Sequence, residues 1–202
     1  MGTRHLIAVQ IDGQYPIAQY GQWDGYPDGQ GLTVLYFLRD ELRRGDLIAK
    51  AKAAPEMTQE MRSAKLRELG HDGSEYVSDA VATKYYNLYP QLSRDVGGKI
   101  LAMVQNGDMG APLCREITFA GESLFCEWAW VVDLDKNTFE AFKGFNKEPL
   151  DPGERFASIP FHERARSADG KQYYQVRHVK TWSLDALPTD EEFLAAFEED
   201  AA

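Results

Sequence analysis

The chain has 202 residues, 44% of them hydrophobic and 27% charged, and carries a formal net charge of −10. That length and composition point to one globular domain over residues 1–202 with a sizeable core, and exclude a disordered chain. The charge excludes non-specific binding to nucleic acid or an anionic membrane, because no surplus of Lys or Arg exists to displace phosphate counterions; a local basic pocket stays compatible with it.

Taken in order, "HLIAVQI" and "QYPIAQY" read as two strands joined by Asp12-Gly13, the pair best suited to the positive φ angles of a tight hairpin turn. A segment rich in glycine and aromatic residues follows. Then "LTVLYFLRDELRR" places Leu35, Leu38 and Leu42 at helical spacing, with Gly45 as its expected C-cap. Residues 46–107 read as mostly helical, punctuated by Pro55, Gly70 and Pro90. From about residue 115 the pattern turns to strands. "SLFCEWAWVVDL" and "TFEAFKGF" flank the turn Asp135-Lys136-Asn137, and "ERFASIPF" and "KQYYQVRHVKTWSL" supply further strand material. "LPTDEEFLAAFEED" closes the chain as a helix, with Thr189 as N-cap and Glu192 completing a capping box. Segregated strands and helices predict an α+β fold, with antiparallel sheets packed against helices; a four-layer αββα sandwich is one form it can take.

Two cysteines, Cys114 and Cys126, are too few for a disulfide framework, and no stretch approaches the ~18 apolar residues of a membrane span. The expectation is a cytoplasmic protein without membrane contacts and with no cofactor; a homo-oligomer is left open.

The segment "AQYGQWDGYPDGQG" concentrates the features expected of a site. Gly21, Gly25, Gly29 and Gly31 let the backbone turn sharply and let a ligand approach it closely. Tyr20, Trp23 and Tyr26 offer flat faces for stacking on a planar ring, while Gln22, Asp24, Asp28 and Gln30 offer hydrogen bonds to a base edge or a sugar. The following helix start promises free amides, so Gly29 to Gly31 are the expected seat of a phosphate or carboxylate. These are the parts of a pocket for a small nucleotide-like molecule. The alternative is a long turn whose Trp23 and Tyr26 plug the end of a core. Neither G-x-G-x-x-G nor G-K-[ST] is present.

"GTRHLIAVQIDG…AQYGQWDGYPDGQG", with "LFCEWAWVVDLDKNTFEAFKG" and "LDALPTDEEFL" further on, resembles a family of uncharacterised proteins of bacteria, bacteriophages and some fungi. The resemblance spans nearly the whole chain and brings no established activity. It implies a phage-type protein acting on nucleotide immune signals, by sequestering the signal or by cleaving it as a phosphodiesterase. A fainter similarity is to N-terminal-nucleophile hydrolases, which also begin with a hairpin. Removal of Met1 here exposes Gly2, which has no nucleophilic side chain, and Thr3 becomes terminal after one further cleavage.

Among the four histidines, His5, His71, His162 and His178, no pair stands at metal-binding helical spacing, so no metal site is expected. Alternation along the first strand puts Thr3 and His5 on one face. If that face lines the pocket, His5 is the candidate general acid or base, Thr3 the candidate nucleophile, and Arg4 or Arg177 the partner of an anionic group. Asp133, Asp135 and Asn137 imitate a calcium loop, but Thr138 stands where the loop requires Gly and Gly144 where it requires Glu. Tyr85, Tyr86 and Tyr89 on one helix, and Trp128 and Trp130 on one strand face, read as core. Glu127 and Glu163 are candidates for a carboxylate pair that nothing in the sequence brings together.

Overall fold

A computed structural model describes residues 2–161, 163 and 165–198. The protein is α+β, with a sheet of five strands in the order β2-β1-β3-β4-β5. Strands β1 (His5–Ile11) and β2 (Gln14–Gly21) form the first hairpin, turning at Asp12 (φ 52°) and Gly13 (φ 72°). Strands β3 (Trp128–Asp133) and β4 (Thr138–Lys143) form the second, and β5 (Arg177–Ser183) adds an antiparallel edge. β1 and β3 pair in parallel, His5 opposite Trp128 and Val9 opposite Val132. This one mixed sheet, among the described residues, replaces the face-to-face pair of sheets that the sequence allowed.

The two hairpin tips are tied together. The Asp135 carboxylate accepts the amides of Asp12 and Gly13, both at 2.8 Å, and Asp133 accepts those of Asp135 and Lys136 at 2.9 and 2.8 Å. Of the residues that imitated a calcium loop, Asp133 and Asp135 therefore hold turns with their carboxylates, and Asn137 Oδ1 accepts from Arg44 at 2.5 Å.

Alternation divides the sheet's two faces. Ile7, Val9, Trp128, Trp130, Val132, Phe139 and Ala141 point into a core covered by helices. These are α1 (Leu32–Tyr36), α2 (Arg44–Ala53), α5 (Ile100–Asn106) and α6 (Asp190–Ala195). Wide π-type turns, Pro27–Gly31 and Phe37–Glu41, extend α1 at both ends, so the helix starts inside the glycine-rich segment. Gly45 lies in the first turn of α2 instead of capping α1; the chain breaks earlier, where Leu42 and Arg43 leave helical ψ values. α6 carries the expected capping box, with Thr189 and Glu192 bonding each other's backbone amides. A separate helical pair, α3 (Gln59–Glu68) and α4 (Asp79–Leu88), packs around Leu66, Val81, Tyr85 and Leu92.

Irregular chain covers the opposite face. Leu6, Ala8, Ala129, Val131 and Phe142 meet Phe156 and Val176 there. "ERFASIPF" is a series of turns, not the strand its alternation suggested: Ala157 N–H donates to the Glu154 carbonyl and Ile159 N–H to that of Phe156. Its alternating residues serve another purpose. Phe156 fills the core while Arg155 bonds Asp133 at 2.5 Å, Glu140 at 2.6 Å and the Tyr15 hydroxyl at 3.0 Å. Burial on its own raises the Asp133 pKa, but Arg155 and the amides of Lys136 and Asp135 outweigh it and hold the carboxyl below its ordinary range.

Replacing Arg155 with Ala leaves Asp133 and Glu140 without their cation, and is expected to cost about 3 to 5 kcal/mol in urea unfolding; a loss under about 1 kcal/mol contradicts the account. The sign in acid follows from the depressed carboxyl. Its stabilisation is complete above the unfolded pKa of about 3.9 and is lost as pH falls below it, a limb that Arg155→Ala removes.

Candidate functional site

The glycine-rich segment is built against the core. Trp130 Nε1 donates to the Gly25 carbonyl at 3.0 Å. A Cβ at Gly31 would stand 2.8 Å from the Trp130 ring and 3.0 Å from Phe193, and one at Gly29 would stand 2.3 Å from the Asp24 carbonyl oxygen. The glycines thus admit the protein's own rings and backbone. The amides of Gly29 and Gly31 both donate to the Tyr26 carbonyl, and that of Gln30 to the Asp24 carbonyl at 2.8 Å. Gln30 Oε1 accepts from Gly98 N–H at 2.7 Å. The anion seat expected at Gly29 to Gly31 therefore has its donors already engaged, because the wide turn at Pro27–Gly31 consumes the amides that a helix start normally leaves over.

Trp23 and Tyr26 are each 51% exposed, so neither plugs a core. Trp23 Nε1 donates to Asp95 at 2.9 Å, Gln22 N–H to the Arg94 carbonyl at 2.9 Å, and the Tyr20 hydroxyl to Gln22 Oε1 at 2.5 Å. Asp24 takes the left-handed conformation at φ 61°. The loop is in this way fastened to the turn carrying Arg94 and Asp95.

Thr3 and His5 share a buried position, 5% and 1% exposed. The His5 ring lies under Gly21, where a Cβ would come within 2.1 Å of Nε2, and beside Gly25. Neither ring nitrogen has a well-formed hydrogen bond; burial pushes the pKa down to about 4, with the Thr3 backbone offsetting part of the shift. His5 is therefore neutral and walled in by backbone. Arg4 lies over the Phe125 ring at 4.8 Å and 3.9 Å from Glu127, and Arg177 pairs with Glu148 at 2.6 Å. None of the clefts described below is lined by Thr3 or His5 together with Trp23 or Tyr26. His162 falls outside the described residues, His71 lies 3.7 Å from Asp72, and His178 bonds the Thr181 hydroxyl.

The groups that do converge lie on the other side of Tyr20. β2 is an edge strand, and the segment after α5 pairs with it through Ala18 N–H to the Cys114 carbonyl and Glu116 N–H to the Ala18 carbonyl. That pairing places Cys114, Arg115 and Glu116 opposite α3 and α4. Between them is a cleft of about 490 Å³, lined by Tyr20, Arg62, Tyr85, Tyr86, Arg94 and Glu116 among others, a size suited to a small ligand. Arg62 comes from the first turn of α3, Tyr85 and Tyr86 from α4, and Arg94 from the turn that holds the loop.

The groups lining this cleft differ in how far they are already committed. Among the described residues, the guanidinium groups of Arg62 and Arg94 make neither a side-chain hydrogen bond nor an ion pair. Arg115 is engaged by the Ala54 carbonyl at 3.1 Å. The Tyr85 hydroxyl is buried without a partner, on a residue 2% exposed, and burial pushes its pKa up to about 12. Glu116 Oε2 accepts the Tyr20 amide at 3.2 Å. Its side chain opens to the cleft mouth, yet the desolvation imposed by surrounding protein raises its pKa against the lowering by the Tyr20 amide and Arg62. Desolvation also pushes the Cys114 thiol up to about 12, so it is no thiolate nucleophile at neutral pH. Nothing in local spacing announces these residues, which come from five separate segments.

Two further clefts are larger but chemically poorer. One of about 660 Å³ between α4 and α5 is lined by Leu88, Tyr89, Met103, Val104 and Met109, with Lys50 and Asp108 among the others. Another of about 600 Å³ borders Arg155, whose guanidinium is already committed. Among the described residues no three His, Cys, Asp or Glu side chains gather closely enough to hold a metal ion. No described helix is long and apolar enough to cross a membrane. Comparisons of the chain with protein-family models, with curated proteins and with solved structures gave no match.

His5 gives a pH prediction. Its folded pKa of about 4 lies below the unfolded value of 6.5, so stability is fully present above pH 6.5 and falls as pH drops towards 4, by about 3 kcal/mol in all. Urea titrations of His5→Gln are expected to lack that slope whatever the variant's own baseline; an unchanged slope refutes the assignment.

Proposed function

We propose that this protein captures a small planar, anionic molecule of the nucleotide class in the cleft between the β2 edge and the α3–α4 pair. What supports this reading is the pairing of two uncommitted arginines with an orphaned buried hydroxyl around one cavity of ligand size. A guanidinium presents a fork of donors that matches phosphate oxygens. A buried hydroxyl without a partner costs free energy that an incoming oxygen recovers. Tyr20 and Tyr86 supply flat rings at the sides of the same cavity, the stacking role first expected of Trp23 and Tyr26. The glycine-rich loop then acts as a support: its bonds to Arg94 and Asp95 fix the turn from which Arg94 reaches the cleft.

Capture is favoured over cleavage because the residues with catalytic potential are poorly disposed. Thr3 and His5 are buried away from this cleft, and the Cys114 thiol is protonated. Sequestration of a nucleotide signal is the biological role that fits such a site and the family resemblance.

Calorimetric titration with nucleoside mono-, di- and triphosphates and cyclic dinucleotides is expected to show binding to at least one of them. Arg62→Ala and Arg94→Ala should each weaken that binding at least about tenfold, the loss of one charge-assisted contact, while melting temperature stays within a degree or two. Absence of heat with every nucleotide overturns the proposal. Tyr85→Phe offers an independent check in the free protein. Deleting an unpartnered hydroxyl should leave stability unchanged or raise it by about 1 kcal/mol, and a loss of that size means the hydroxyl already has a partner.

A further inference from the structure

From the opposed donors and acceptors inside this cleft, we infer that the base it selects is guanine, read by the Glu116 carboxylate while Arg62 and Arg94 take the phosphate. The inference rests on the nucleotide reading above and narrows it to one base.

The cleft is not uniformly basic. Arg62, Tyr85, Cys114 and Glu116 line one and the same cleft, and the Arg62 charge acts on the other three. Yet among the described residues Glu116 forms no ion pair within 4.0 Å with Arg62 or with any other cation. A cation and a carboxylate that face one cavity without closing on each other define two poles. A ligand that satisfies both must carry negative charge at one end and hydrogen-bond donors at the other. A simple polyphosphate fails at the second pole, because it sets its own charge against the carboxylate.

The second pole also has a geometry. Glu116 Oε2 is oriented by the Tyr20 amide at 3.2 Å, and Oε1 has no hydrogen-bond partner among the described residues. An ionised carboxylate accepts only, through two parallel oxygens. Guanine presents two adjacent donors, N1–H and the N2 amino group, on its pairing edge, and so meets both oxygens at once. Adenine offers an amino group beside the N1 lone pair, cytosine an amino group beside the N3 lone pair, and uracil one N–H between two carbonyls. In each of those three, an acceptor is pushed against the carboxylate. Specificity of this kind comes as much from repelling the wrong edge as from binding the right one. Tyr20 is well placed to hold the base in register. Its amide orients Glu116, its hydroxyl is tied to Gln22, and its ring packs edge-on against Phe119 at 5.0 Å.

The test is a calorimetric comparison of GMP, IMP and AMP on the intact protein and on Glu116→Gln. GMP is expected to bind at least tenfold tighter than AMP, with IMP, which lacks the N2 amino group, between them. A Gln at this position still accepts from the Tyr20 amide, so the fold is kept. Its side-chain amide sets an NH2 donor group beside a carbonyl acceptor, which suits adenine's edge and cannot accept from guanine's N1–H and N2 amino group side by side. Glu116→Gln should therefore lose GMP affinity at least tenfold and gain AMP affinity, inverting the order. Equal binding of all three nucleotides, or an order unaltered in Glu116→Gln, overturns the guanine assignment and leaves the nucleotide site standing. No binding of any of them to the unaltered protein overturns both. Melting temperature of Glu116→Gln within about two degrees of the parent certifies that a changed order reports recognition and not unfolding.

Discussion

The indole of Trp130 is the contact on which the arrangement turns. It sits in the middle strand fully buried, stacked on Trp128 at 5.5 Å and surrounded by Phe139, Phe193 and Phe197. Truncation of a buried ring of this size costs about 3 to 5 kcal/mol, a large part of the stability of a domain. Its N–H cannot remain unpaired in that setting, and the Gly25 carbonyl is the partner that satisfies it. The ring needs room above it as well, which is why residue 31 has no side chain. One side chain thus dictates where the glycine-rich segment lies and how α1 begins.

Features set by neighbours in the chain were legible from the sequence. Asp12-Gly13 adopts the positive φ angles its composition promised, Thr189 and Glu192 form their reciprocal cap, and the Trp128–Trp130 alternation marks a strand face turned to the core. Features set by distant partners were not. The alternation in "ERFASIPF" has strand periodicity, yet Arg155 is drawn to two buried carboxylates and Phe156 to the sheet, and turns satisfy both. Glycine carries the same ambiguity. Its small volume serves an approaching ligand or an approaching indole equally well, and the choice depends on a tryptophan a hundred residues away. The cleft illustrates the limit most sharply, since Tyr20, Arg62, Tyr85, Arg94 and Glu116 share no segment and no spacing.

The charge balance places the cleft in an unusual setting. A chain with net charge −10 repels anions at long range, whereas two unpaired guanidinium groups attract them at contact. Salt screens the distant repulsion and weakens exposed ion pairs as well, so the two effects oppose each other as ionic strength rises. In the capture we propose, selectivity comes from the few groups inside the cavity and gains little from the surrounding field.

The Asp135 clamp has a bearing on how the chain reaches this state. The carboxylate that steadies the first hairpin belongs to a residue more than 120 positions downstream, and β1 waits for β3, equally remote, to cover its open side. During synthesis the opening ribbon emerges with one flank bare and must stay uncommitted until the tryptophan-bearing strand arrives. Closing so long a loop is slow compared with forming helices, which makes docking of the two ribbons the natural bottleneck of self-assembly.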